Sequence, residues 1–293
     1  MQAEAVFKEA GARRAGHAIR ERGLLSQVVI YAIFGVIGIT MVMPFIWMIL
    51  SSFKTQVDMF LVPPKLFPSQ WIWTNYYEAI RTSMFPRFFL NSAIITVSVV
   101  TGQLFFDTLA GYAFAKLEFR FREPLFFMLL STMMISIFVT ILPLYVVMSR
   151  LRWINTFYAL IVPGLSGAFG IFMMRQFIQT IPDDYLDAAR IDGASEFSVF
   201  RLVVFPMCGP ALSALGIFVA LGAWNDFFYP LMMITTTEMN TIQLGTTRFV
   251  GISNARWQLV MAVATLGIMP VLIVFLIFQR FFTEGIVLSG LKG

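Results

Sequence analysis

The stretch DAARIDGASEFSVFRLVVFP, Asp187 to Pro206, is a polar island between two long apolar runs. Trp153 to Met174 before it, and Leu202 to Asn225 at its far end, contain no Asp, Glu, Lys or Arg. The island reads as two short helices. Ile181 and Pro182 end the preceding run, and proline is well tolerated at a first helical position. Asp183 and Asp184 fall in the first turn, where negative charge is favoured by roughly 0.3–1 kcal/mol each. Tyr185, Leu186, Ala188 and Ala189 carry the helix on. Gly193 stops it, because glycine readily takes the left-handed conformation that helix ends use. Ser195 can cap a second helix, in which Phe197, Phe200, Arg201 and Val204 share one face. Pro206 closes the unit. Such a knob at a membrane surface offers a partner something to grip.

The rest of the chain is predicted to be membrane. Hydrophobic residues make up 58% of the 293 residues, charged residues 13%, and the mean hydropathy is +0.79. A soluble domain is nearer about half apolar and a quarter charged. Charge-free runs cover Leu24 to Phe53, Pro124 to Ser149, Trp153 to Met174, Leu202 to Asn225 and Trp257 to Gln279. A sixth, Phe88 to Ala115, is interrupted only by Asp107. Each reaches the roughly 20 residues that a helix needs to cross a hydrocarbon core. The expected fold is an all-α integral membrane protein of six transmembrane helices. Six spans put both termini on one side. With the N-terminus inside, the inner segments hold 13 of the Lys and Arg residues and the outer segments 8. That bias favours N-in and C-in. The net charge of +5 is then an orientation device and calls for no nucleic acid.

The expected organisation is a cytoplasmic tail over residues 1–23, followed by one transmembrane domain over 24–293. The tail is polar, and the run after it is too long for the core of a secretory leader. The first outer loop, Lys54 to Arg87, holds Pro63, Pro64, Pro68 and Pro86 and is not one helix. Its segment Thr74 to Arg81 suits a short surface helix, and Trp71 and Trp73 suit an interfacial belt. The second outer loop of note, Thr235 to Arg256, is rich in Thr, Asn and Gly. Gly111 with Ala115, and Gly35 with Gly38, sit at spacings that suit close helix packing in lipid. The one cysteine, Cys208, allows no internal disulfide, and the one histidine, His17, lies in the tail. A His-based triad or multi-His metal site is therefore excluded from the spans.

The island also carries a family pattern. Asp187-Ala188-Ala189, then Gly193, then Val203-x-Phe205-Pro206 resembles the Glu-Ala-Ala signature of the permease subunits of bacterial ABC importers, with the spacing matched throughout. Asp for Glu, Val for Ile and Phe for Leu are the departures. The stretches LAGYAFAKLEF (Leu109 to Phe119), LGAWNDFFYPL (Leu221 to Leu231) and the GLKG end are similar to the carbohydrate-uptake branch, and to the smaller permease of maltose-type importers.

That resemblance implies a mechanism. Two permeases form one path, two copies of an ATPase subunit bind below, and a periplasmic solute-binding protein delivers the sugar. The loop 180–206 becomes a cytoplasmic helix–Gly–helix coupling element, with Asp187, Ala188, Ala189, Arg190, Asp192 and Gly193 meeting the ATPase. The chain would need no cofactor of its own, since ATP and Mg would belong to the ATPase. It lacks the Gly-x-x-x-x-Gly-Lys-Ser/Thr loop that cradles phosphates. It would act as a transport subunit in the bacterial inner membrane and not as an enzyme.

Candidates for the translocation path are the polar residues within or beside the spans. Asp107 is the sharpest, because intramembrane charge is costly and usually faces a bundle interior or water. It lines the path, pairs with a basic residue of a partner permease, or makes a helix–helix hydrogen bond. Asp226 lies with Trp224 and Asn225 in the sugar-branch motif, and Gln103, Asn91 and Tyr229 are weaker candidates. A pI near 9.5 is compatible with an acidic saccharide. An ABC permease for another polar solute, such as an amino acid or phosphate, and a self-sufficient secondary transporter are the alternatives. The scarcity of His and Cys disfavours a membrane-embedded enzyme.

Overall fold

A computed structural model describes residues 24–82, 84–247 and 256–290. The tail with His17, the middle of the loop 235–256 and the last three residues lie outside them. The described residues are helical, with no strand among them.

Helix α1 is Leu24–Ser52. A loop and the short helix α2, Thr74–Thr82, lead to α3, Phe85–Lys116, a helix of 32 residues. α4, Arg122–Thr132, and α5, Ile137–Arg150, meet at a bend of 100°. α6, Phe157–Ile161, continues through a 3-10 turn, Val162–Gly164, and a break before α7, Ala168–Gln179. α8 is Asp183–Ile191. α9, Glu196–Val199, runs through a π-helical turn, Phe200–Val204, to Met207. α10 is Gly209–Asn225, bent by 79° from the segment before it. α11, Phe228–Met233, and α12, Ile242–Thr246, precede α13, Trp257–Gly290. Among the described residues, four helices are long and apolar enough to cross a membrane, or up to six if each bent pair is one span.

The bends follow from the residues at them. Ser136 is extended and caps α5, its hydroxyl accepting from the Phe138 amide. Pro163, Gly164 and Gly167 interrupt the run that was expected to be one helix over Trp153–Met174. Pro210 lacks the N–H that would bond back to Pro206, so the chain turns at Cys208. Pro206 therefore does not close the knob; the helical path reaches one residue further.

α3 is the axis of the fold. It packs along α7 and α10, and α13 packs against α1, α2 and α10. Gly111 explains the closeness of α3 and α7. A Cβ there would lie 2.8 Å from Met174 Cβ and 2.9 Å from the Arg175 amide nitrogen. Arg175, buried, completes the contact by donating to the Phe114 carbonyl at 3.2 Å and to Glu123 Oε1 at 2.7 Å. Gly35 and Gly38 differ. Each faces open space, and the core of α1 is unburied within this chain.

Candidate functional site

The knob forms as two helices about a glycine. α8 begins one residue after Pro182. It ends where Gly193, at φ +84°, lets the Asp192, Gly193 and Ala194 amides bond back to the Ala188, Arg190 and Ala189 carbonyls. The Ser195 hydroxyl caps α9, accepting from the Ser198 amide at 3.3 Å.

The two sides of α8 differ. Leu186 is 1% exposed, packed in a core cluster with Met174, Ile178, Val199, Phe200 and Val204. Burying such a side chain contributes about 1.5–3 kcal/mol. Tyr185 and Ile191 are 55% and 85% exposed, with Ala188 exposed between them. Ala189 is partly buried and packs on the core cluster. The outer side of α8 is thus an apolar stripe with a low point at Ala188. On the other short helix the expected shared face divides: Phe200 and Val204 are buried, whereas Phe197 and Arg201 are exposed.

Polar ties fix the knob to α3. Lys116 donates to the Ile181 carbonyl and to Asp183 Oδ1, each at 2.6 Å. The hydrogen bond and the positive charge of Lys116 hold the Asp183 carboxyl below its ordinary pKa. Tyr112 donates to Glu196 Oε2 at 2.6 Å. Arg190 donates to Glu196 Oε1 at 2.9 Å and to Asp187 Oδ1 at 3.0 Å. Asp187 and Arg190 therefore close on each other across one helical turn, and Asp192 is exposed at the tip.

A cleft of about 490 Å³ opens between α3, α5, α6, α10 and α11. That is the size of a small-molecule site. Gln103, Asp226 and Tyr229 line it, with Ser92 and Thr241. So do aromatic rings: Phe138 meets Phe228 edge-on at 5.0 Å between centroids, and Phe169 meets Phe218 at 5.8 Å. Asp226 Oδ1 accepts from the Tyr229 amide at 3.2 Å, and the Tyr229 hydroxyl donates to the Ala159 carbonyl at 2.8 Å. Gln103 donates to the Gly164 carbonyl at 2.9 Å.

The other three path candidates stand elsewhere. Asn91 is buried and donates to the Glu238 and Asn240 carbonyls, tying α3 to the loop between α11 and α12. Asn225 donates to the Leu221 carbonyl and accepts from Gln243. Asp107 is 0% exposed between α3 and α7, where its Oδ1 accepts from the Ser166 hydroxyl at 2.7 Å and the Gly167 amide at 3.0 Å. Sequence reasoning missed the partners Lys116, Tyr112, Glu196 and Ser166. The pair Pro163-Gly164, followed by Ser166-Gly167, was the available signal for the break.

Known proteins are similar to this chain along most of its length. The arabinooligosaccharides transport system permease protein AraQ of Halalkalibacterium halodurans is 31% identical over 89% of this chain and 94% of its own length. The sn-glycerol-3-phosphate transport system permease protein UgpE of Agrobacterium fabrum is 31% identical over 86% of this chain and 93% of its own. A chain in the crystal structure of a bacterial ABC transporter involved in the import of the acidic polysaccharide alginate superposes with a TM-score of 0.79. It is 21% identical, and the match covers 88% of this chain and 96% of that one, so the fold is shared. Residues 107–287, which contain the break, the knob and most of the cleft, match the family of binding-protein-dependent transport system inner membrane components, and the chain belongs to that family.

Proposed function

We propose that this chain is the permease subunit of an ATP-driven importer that moves a sugar or oligosaccharide across the bacterial inner membrane by alternating access. In this reading each bent pair is one span, giving six, with both termini cytoplasmic. The tail 1–23 and the loop 180–206 then lie on the same side. α8 is the coupling helix and enters a groove on an ATPase subunit. Two such subunits carry the ATP and Mg, a second permease completes the path, and a periplasmic solute-binding protein delivers the cargo. The cleft beside Gln103, Asp226 and Tyr229 is this chain's share of the path.

The observation that carries the reading is the two-sidedness of α8. One side is rooted in the core through Leu186, and the other offers Tyr185, Ala188 and Ile191 to solvent. A helix laid into a groove uses such a stripe. The cleft favours a neutral saccharide. Its lining pairs aromatic rings with hydroxyl and amide groups and one carboxyl, Asp226, and holds no Lys or Arg among the described residues. An acidic saccharide, or a phosphate-bearing solute of the kind named for UgpE, would take its counter-charge from the partner permease.

The test is reconstitution with the partner subunits in vesicles, with the binding protein added outside and arabinotriose as cargo. Binding-protein-stimulated ATP hydrolysis with uptake supports the reading. A chain that purifies without an ATPase and still transports is a secondary transporter and refutes it.

A further inference from the structure

We propose that Gln103 and Asp107 are a two-point clamp on a broken transmembrane helix, positioning the break that walls the cleft. The inference rests on the reading of that cleft as part of the translocation path. It gives Asp107 a positioning role in place of contact with cargo.

The span formed by α6 and α7 is interrupted at residues 162–167. A break within a bilayer leaves a carbonyl without a partner at the end of one half and an amide at the start of the next. Such groups must be satisfied by protein. Here α3 supplies both partners from one row. Gln103, Asp107 and Gly111 are four residues apart, so they share a face. Gln103 donates to the Gly164 carbonyl before the break, at 2.9 Å. Asp107 Oδ1 accepts from the Ser166 hydroxyl and the Gly167 amide after it, at 2.7 and 3.0 Å. A carboxylate is well matched there because the N-terminal end of α7 carries partial positive charge.

Two further features say that the clamp is built in. Gly170 has no side chain, and a Cβ on it would collide with the Asp107 carboxylate, so the first turn of α7 sits directly on that group. Asp107 Oδ2 makes no hydrogen bond among the described residues, and Asp107, 0% exposed, lines neither of the two cavities that flank the break. The break itself separates two spaces. Gly164 and Phe169 line the cleft, whereas Ser166 and Gly167 line a second cavity against α4. Moving the break changes both.

The clamp predicts a distance that chemistry can read. A Cβ built on Gly164 would lie 4.0 Å from Val99 Cβ, within the range of about 3.5–4.5 Å for a disulfide. In a Cys208→Ala background, the assembled complex bearing Val99→Cys and Gly164→Cys cross-links quickly under copper phenanthroline. Adding Asp107→Ala slows the cross-link about tenfold, the change expected from losing one or two buried hydrogen bonds. Asp107→Asn, whose amide oxygen still accepts from Ser166 and Gly167, restores the rate to within about twofold. Ser166→Ala removes one tie and gives an intermediate rate, which keeps the test decisive if Asp107→Ala fails to assemble. Equal rates in all four backgrounds overturn the clamp. A separate Phe218→Cys variant in the same background reports on the cleft. Labelling by a hydrophilic maleimide that changes with the nucleotide state upholds the cleft as path. No labelling in any state overturns that reading and leaves the clamp to be judged by its cross-link.

Discussion

Ala188→Trp is the substitution that isolates the exposed stripe of α8, proposed to meet an ATPase, from the fold. Ala188 is exposed on the outer side of α8, between Tyr185 and Ile191. A surface change clear of the core is worth less than about 0.5 kcal/mol to the chain itself. The same change at a groove contact is overpacking, which costs about 1–3 kcal/mol, because a Trp ring demands on the order of 150–250 Å² of new contact surface. At about 1.4 kcal/mol per factor of ten, ATPase affinity should fall roughly 5- to 150-fold. The neighbouring Ala189 is the control. It is partly buried against the core cluster, so Ala189→Trp should lower the stability of the chain alone by about 1–3 kcal/mol. Thermal unfolding of the isolated chain in detergent, and titration of the ATPase subunit onto it, separate the two effects. Ala188→Trp should leave unfolding unchanged and weaken the titration. An Ala188→Trp chain that binds its ATPase and supports stimulated hydrolysis at wild-type levels would refute the placement of α8 in a socket.

Three more outcomes follow from local geometry. Gly193→Pro cannot take φ +84° and should abolish stimulated hydrolysis while the chain still inserts. Gly193→Ala, at a strain of about 1–2 kcal/mol, should reduce it, and membrane fractionation beside the hydrolysis assay checks both. Asp183 has a folded pKa below its ordinary value, so its contribution to stability is fully present above that ordinary value, near 4. It is lost as the pH falls through the folded pKa. The stability difference between wild type and Asp183→Asn should therefore shrink in acid, followed by thermal unfolding from neutral pH downward. Trp224 Nε1 donates to the Gly267 carbonyl at 2.9 Å within the core. Trp224→Phe should cost about 0.5–1.5 kcal/mol by removing that hydrogen bond, measured as a lowered unfolding temperature.

The apolar runs were legible because membrane crossing demands length and lack of charge, and both are local properties. The knob was legible for a similar reason: Pro182, Gly193 and Ser195 act through the backbone within a few residues of themselves. The breaks were harder. Pro163, Gly167 and Ser136 sit inside runs whose hydropathy is uninterrupted, so a composition-based reading merges the halves. The roles of Asn91, Asn225 and Asp107 were open because a polar residue in a span reveals its cost but not its partner. Those partners, Asn240, Gln243 and Ser166, lie far away in the chain. The division of the two alanines was also invisible, since only packing puts Ala189 inward and leaves Ala188 outside.

The interlock of α3 with α7 has a mechanical consequence. Gly111 brings the two backbones together, Asp107 and Arg175 bolt them, and Lys116 and Tyr112 fasten the knob to the inner end of the same helix. So tied, these parts would move as one rod in the proposed transport cycle. At 1.5 Å per residue, the 32 residues of α3 span about 48 Å. A tilt of about 5° applied at the knob would then carry Asn91, about 38 Å along α3 from Lys116, through about 3 Å. In the proposed topology a small push at the knob becomes a displacement of that size at the opposite end of α3, with no change in the rod itself.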